Sequence, residues 1–423
     1  MTSFTCLQRF ALVLLCVALF QVDLGVARAD WPGLLGPTRD GKADPSASLP
    51  TKLSGAPRLA WKLEAGQGYA GAAIAGNDVV LYERNGNVDT VRVVDLDSGK
   101  QRWNQSIPSA YKGGIDSDKG PRCVPTILAE SVLVYSAAGE LTLLSRKDGG
   151  VLWTRALRKE FSAEDGYFGA GSTPVIFEGS AIVNVGAKTA SVIAVSLRDG
   201  TTLWTAGTGE ASYASPILVA QTANARLDKT ICIVPTRLKT IALDPSNGKE
   251  LWQIPFGQRG PTVNAATPMM LPDGNLFLTA SYGIGSAVIQ FDASSAKIVR
   301  TGSEISSQYA SPIVAGGMVF GSDGREDSGT ANIKCLSLED GSTLWEQDGL
   351  PICHAIGISD SLLFVGINGK LFAQSVSSKQ FKPNWSAELG KGVFRALPAY
   401  SQNRLCVRSS NGPDDAWYCF ELR

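Results

Sequence analysis

One histidine, His354, serves the whole 423-residue chain, and none of its eight cysteines form a C-x-x-C pair. A cluster of histidine ligands is therefore excluded. A zinc ribbon, a thioredoxin-type redox pair and a C-x-x-C-H haem attachment have no support. Gly-rich phosphate loops, nucleophile elbows and H-E-x-x-H are likewise missing. His354 directly follows Cys353. Neighbours on a strand face opposite sides, which argues against a Cys–His nucleophilic couple. A surplus of charge is also lacking: Lys+Arg and Asp+Glu each number 39. Nucleic acid and anionic membrane surfaces both select a basic excess, so neither is an expected partner. The apolar run from Phe10 to Phe20 has eleven residues, too few to span a bilayer, so no transmembrane segment is expected.

That run has another use. Arg9 precedes it and Ala27-Arg28-Ala29 follows as an A-x-A cleavage site. Residues 1–29 read as a signal peptide, with a mature N-terminus at Asp30 and a destination in the periplasm or outside the cell. Disulfides are permitted there. Of the six remaining cysteines, Cys406 and Cys419 flank the turn Asn411-Gly412-Pro413-Asp414 almost symmetrically. If the flanking segments pair, a cross-strand disulfide is one reading and two small buried hydrophobes the other. Residues 30–54 are rich in Gly, Pro, Ser and Asp, with Trp31 as the large anchor. They read as an irregular segment ordered by docking, ahead of a single domain over 55–423.

What is abundant is repetition. Ile333-Lys334-Cys335-Leu336-Ser337-Leu338-Glu339-Asp340-Gly341-Ser342-Thr343-Leu344-Trp345 reads as a strand, a tight turn and a second strand. The same phrase ends at Trp103, Trp153, Trp204, Trp252, Arg300, Trp345 and Trp385, at spacings of 50, 51, 48, 48, 45 and 40. An upstream half repeats too, as Tyr213-Ala214-Ser215-Pro216 and Tyr309-Ala310-Ser311-Pro312, with Pro125, Pro174, Pro268 and Pro398 in other copies. Four short strands every 40–50 residues mean propeller blades. The tail from Phe394 lacks its Trp strand, and Arg58-Leu59-Ala60-Trp61-Lys62-Leu63 is a Trp strand without a blade. Joined, they complete an all-β propeller of eight four-stranded antiparallel blades. Seven blades is the alternative. The regular tryptophans are expected between blades rather than as ligand platforms.

At these residues the chain resembles the PQQ-like (pyrroloquinoline-quinone-like) repeat proteins, whose blades carry Ala-x-Asp-x-x-Thr-Gly-x-x-x-Trp. The start Asp30-Trp31-Pro32-Gly33-Leu34-Leu35-Gly36-Pro37-Thr38-Arg39-Asp40-Gly41 is similar to the leader of exported members. The resemblance implies one of two roles. Quinoprotein dehydrogenases of this fold bind PQQ and calcium; a non-catalytic branch includes a scaffold lipoprotein of outer-membrane barrel assembly. The dehydrogenases carry adjacent cysteines against the cofactor, and this chain has none. Loop oxygens for calcium could come from Asp116, Asp118, Asp165, Asn264, Asp323 and Asp327. The expected role is therefore an exported, non-catalytic and monomeric binding or scaffold module without a cofactor. A PQQ-dependent alcohol dehydrogenase is the alternative.

Propellers bind at the channel mouth, where each first strand begins. The residue three before the Pro position reads Tyr69, Arg122, Gly171, Tyr213, Ala265, Tyr309, Ile352 and Arg395 around the ring. Tyr69, Arg122, Tyr213, Tyr309 and Arg395 are the candidate site. Their composition suits a protein, a peptide, or a small planar or anionic ligand. The competing reading packs each Tyr between blades and pairs each Arg with a loop acid.

Overall fold

The computed structural model describes residues 30–53, 55–260, 262–410 and 415–423. The expected signal peptide and the Asn411–Asp414 turn lie outside the described residues. Eight four-stranded antiparallel sheets form the fold, each with its strands in hydrogen-bonded succession. Seven of them are continuous in sequence and span 73–108, 126–155, 175–206, 217–255, 269–302, 313–350 and 353–388. The eighth takes three strands from 399–421, and Arg58–Glu64 pairs with Ala416–Glu421 to supply the fourth. The split blade is as expected from the sequence, and it removes the free edge that an open ring would present. No helix among the described residues is long and apolar enough to cross a membrane.

The repeat phrase is an inter-blade lock. The indole Nε1–H of each blade tryptophan donates to a carbonyl beyond the boundary. Trp61 donates to Leu96 at 2.8 Å, Trp103 to Arg146 at 2.8 Å and Trp153 to Leu197 at 3.0 Å. Trp204 donates to Pro245 at 3.0 Å, Trp252 to Asp292 at 3.0 Å and Trp345 to Ser378 at 3.2 Å. At four of these boundaries the turn glycine of the receiving blade, Gly99, Gly149, Gly200 or Gly248, lies on the same ring. A Cβ at Gly248 would sit 2.5 Å from Cε3 of Trp204, and one at Gly99 would sit 2.7 Å from Cγ of Trp61. These glycines also hold φ of 76° and 68°, the left-handed region that costs other residues about 1–2 kcal/mol. The turn acids close their own turns: Asp199 Oδ1 accepts from the Thr201 N–H at 3.2 Å and hydroxyl at 2.8 Å. In the degraded copy Arg300 lies beneath Gly341, its guanidinium carbon 2.8 Å from where a Cβ would be. A planar cation there replaces the planar indole.

The eighth blade has no turn between its third and fourth strands, because these are Ala416–Glu421 and Arg58–Glu64, far apart in sequence. Trp385 therefore donates to the Pro50 carbonyl at 2.8 Å, and residues 30–53 stand in for the missing lock. The same segment does more than dock. Trp31 exchanges two 2.8 Å backbone bonds with Ile74, Ile127 donates to Pro32, and Ala43 and Gly357 bond across the seventh blade. Leu34 and Leu35 pack with Val124, so this segment crosses the central channel.

Cys406 and Cys419 face each other directly in register and are both fully buried. The strand pairing expected from the turn is met, and the structure holds both as free thiols. Burial raises the Cys406 thiol well above its ordinary value.

Gly248→Ala is expected to lower unfolding stability by more than Gly317→Ala, measured by denaturant titration. Both glycines have positive φ, but only Gly248 has a ring in the way; a Cβ at Gly317 meets nothing within 4 Å. The Gly317 variant should lose about 1 kcal/mol and the Gly248 variant about 2 kcal/mol or more.

Candidate functional site at the channel mouth

The first strand of a blade is entered through an X-Pro step. Proline fixes its own φ and keeps the preceding residue extended. Side chains then alternate, so the residues three and one before Pro share a side. Both sets face the channel. A cavity of about 600 Å³ opens there, and all five candidates, Tyr69, Arg122, Tyr213, Tyr309 and Arg395, line it. Gly171 and Ala265 line it as well. Ile352 does not; it is 2% exposed and packs with Ala310 and Ala331. Leu34 lines the cavity from the side that the N-terminal segment crosses.

The five side chains are tied to each other and to loop acids. Arg395 donates to both oxygens of Glu326, at 2.8 and 2.6 Å, and its Nη1 lies 3.6 Å from Asp116. Tyr309 donates to Glu326 at 2.7 Å and Tyr69 to Asp116 at 2.7 Å. The Arg395 guanidinium lies 4.5 Å from the Tyr69 ring centroid and that of Arg122 lies 5.3 Å from it. Arg122 is held by Asp118 at 2.8 Å, and Tyr213 accepts the Phe168 N–H at 2.9 Å. Burial pushes the Tyr69 phenol up to about 12 and Tyr309 higher still, so both remain donors. Burial opposes the Arg395 charge, but its bonds to Glu326 outweigh this and raise its pKa.

The two arginines are therefore neutralised. Among ionisable lining residues, three carboxylates (Asp116, Glu326 and Asp327) face two guanidiniums (Arg122 and Arg395). The anionic-ligand expectation rested on free arginines, and these are not free. Unpaired cations lie one cleft away. Lys188 and Arg259 are exposed, without an acidic partner among the described residues, in a cavity of about 840 Å³ that shares Tyr213 and Gly171.

The six loop oxygens considered for calcium are dispersed. Asp118 accepts from Gly68, Gly120 and Arg122; Asp323 holds Ser306 and Lys334; Asp327 holds Arg325. Asp165 lies 3.8 Å from Arg158. The Asn264 amide donates to three carbonyls. No three of His, Cys, Asp or Glu converge as a metal site among the described residues. Cys353 turns to the Pro351 carbonyl at 3.3 Å, and burial pushes its thiol up to about 12. His354 turns instead to the Arg395 carbonyl at 2.9 Å, so the adjacent pair does separate as strand alternation requires.

The ring one position before Pro was missed in the sequence. Val124 N–H donates to Thr173 Oγ1 at 3.1 Å, Thr173 to Ser215 Oγ at 2.9 Å, Ser215 to Thr267 Oγ1 at 3.3 Å and Thr267 to Ser311 Oγ at 2.9 Å. Each bond crosses one blade boundary, and all four hydroxyl residues line the cavity. The signal was available: Ser or Thr precedes Pro174, Pro216, Pro268 and Pro312.

Tyr309→Phe should cost about 1–2 kcal/mol, since Glu326 loses a charge-assisted donor. Glu326→Ala should cost about 3 kcal/mol, because Arg395 loses its bidentate partner. Denaturant midpoints of the two variants check the order.

A family profile described as "Outer membrane protein assembly factor BamB" matches residues 87–347. No curated protein matches the sequence significantly. BamB from Moraxella catarrhalis superposes with a TM-score of 0.61 at 16% identity, over 86% of this chain and 97% of that one. The quinohemoprotein alcohol dehydrogenase ADHIIG from Pseudomonas putida HK5 gives 0.70 at 10% identity, over 93% of this chain and 80% of that one. The quinohemoprotein alcohol dehydrogenase from Comamonas testosteroni gives 0.64 at 12%, over 93% and 80%. At such identities these likenesses establish the fold alone. The in-phase repeats, the eight closed blades and the profile match over more than half the sequence agree: the chain belongs to the PQQ-like repeat family described as outer membrane protein assembly factor BamB.

Proposed function

We propose that this protein is an exported, non-catalytic binding or scaffold module of the cell envelope, and that the channel cavity is its ligand site. The observation that carries the reading is the convergence of Tyr69, Arg122, Tyr213, Tyr309 and Arg395 on one cavity with Leu34 at its far side. Pockets of several hundred Å³ that mix apolar walls with a few fixed polar groups are the common form of a small-ligand site. The rim adds an apolar lip, with Ile115 72% exposed beside Phe168 and Val263. A protein or peptide that reaches this face would bury that lip.

The alternative is a quinoprotein dehydrogenase, the activity named for two of the structural neighbours. The donor set argues against it. The lining acids are already engaged by Tyr69, Arg395, Tyr309 and Arg325. The adjacent cysteines that resemblance to that branch would call for are absent from the sequence. These residues do not fit PQQ with calcium, and no redox step is assigned to the site.

Purified protein incubated with PQQ and calcium should show neither stoichiometric quinone absorbance nor dye-linked oxidation of alcohols. Bound quinone with turnover would make the protein a dehydrogenase. A photo-crosslinking residue at position 115 should capture an envelope component, whereas one at Leu344, exposed on the outer perimeter, should not. Equal capture at both positions would remove the cavity mouth from the binding surface.

A further inference from the structure

The cavity has two polar layers of different character. Its inner layer is the hydroxyl ring. Ser215 and Thr267 are 2% and 5% exposed, and Ser311 is half-buried. Each oxygen accepts a backbone N–H from the neighbouring blade. Each O–H is left over: none has an acceptor among the described residues. A hydroxyl carries one donor and two acceptor positions, so three donors face the cavity without a partner among the described residues. His354 occupies the equivalent position of the next blade, 2% exposed and lining the same cavity. A carbonyl can only accept, so His354 Nε2 carries the proton that goes to Arg395 O. Its Nδ1 is then a bare acceptor, buried and without a partner. The fourth hydroxyl of the ring, Thr173, is engaged with the buried Cys123, so the inner layer presents three donors and one acceptor, all uncharged.

The outer layer, two residues nearer the mouth, is ionic but internally balanced. Glu326 and Arg395 are each 24% exposed and Asp116 is 23% exposed. They present carboxylate lone pairs and guanidinium N–H groups side by side. An anionic guest would satisfy the inner donors but meet three carboxylates against two guanidiniums. A cationic guest would meet the guanidiniums of Arg122 and Arg395 beside carboxylates that already accept from Tyr69, Tyr309 and Arg395. A molecule bearing several hydroxyl groups serves both layers, accepting from Ser215, Thr267 and Ser311 and donating to Glu326 and Asp116. Ring C–H faces would lie against Phe168, Tyr213 and Val263 on the apolar wall.

We propose that the cavity holds a neutral polyhydroxylated ligand, a sugar ring, between its uncharged hydroxyl ring and its paired Arg395–Glu326 couple. This rests on the cavity being the ligand site, and the volume of about 600 Å³ leaves room for more than one ring.

The test is calorimetric titration of the full mature chain with glucose, maltose and cellobiose, beside glucuronate, glucosamine and open-chain sorbitol. The neutral cyclic sugars should bind about tenfold more tightly than glucuronate or glucosamine, the discrimination one misplaced charge provides. Sorbitol as the tightest guest would keep the polyhydroxyl chemistry and exclude the ring. Ser311→Ala and Thr267→Val should each weaken the neutral sugar about tenfold, with circular dichroism and melting used to confirm folding. Glu326→Gln keeps shape and removes one charge; it should narrow the gap between glucuronate and glucose. Tighter binding of glucuronate or glucosamine, or hydroxyl variants that are folded and bind normally, overturns the proposal. So does failure of every member of the panel to bind. In any of these cases the position-115 crosslink decides separately whether the cavity mouth binds another class of ligand.

Discussion

The contact of a blade tryptophan with the turn glycine of its neighbour is the interaction on which this ring depends. A four-stranded blade cannot bury its own apolar faces. The indole spans the gap, its N–H going to a carbonyl and its ring to a glycine that has no Cβ to obstruct it. The left-handed turn that admits the glycine and the flat surface that admits the ring are met by one residue. Where the phrase decays the lock is replaced rather than lost. Arg300 substitutes a guanidinium for the indole, and Trp385 takes the Pro50 carbonyl because no turn exists at the seam.

That seam explains why the N-terminal segment has a structural role. Having replaced a turn at one end, it crosses the channel at the other, with Arg39 donating to the carbonyls of Thr173, Pro174 and Pro216. Burial draws the Arg39 guanidinium down to about 10, which leaves it charged near neutral pH. Leu34 of that segment lines the channel cavity. The family's repeat therefore supplies the ring, and a segment outside the repeat contributes to the wall of its central cavity.

The five-residue mouth ring was legible because strand position and repeat phase together define a face. Ile352 departed from it because an apolar side chain at that position is buried against Ala310 and Ala331 rather than left in the channel. The hydroxyl ring was equally available to period-two reasoning, two residues on from each Tyr or its equivalent. It was overlooked because Ser and Thr before Pro also read as ordinary turn chemistry. Charge was the larger difference. Two arginines in a list look like an anion site, but Asp118 and Glu326 come from loops whose approach to those arginines no repeat encodes.

Local rules thus determined the fold class, the blade count, the split eighth blade and the identity of the mouth ring. Each follows from spacing along the chain, and a repeat converts spacing into position around an axis. Tertiary structure decided the placement of Leu34 in the cavity wall, the neutralisation of Arg122 and Arg395, and the unspent hydroxyls of Ser215, Thr267 and Ser311. These depend on where loops and the N-terminal segment come to rest. That placement is set by packing between segments far apart in sequence, for which the repeat period carries no information.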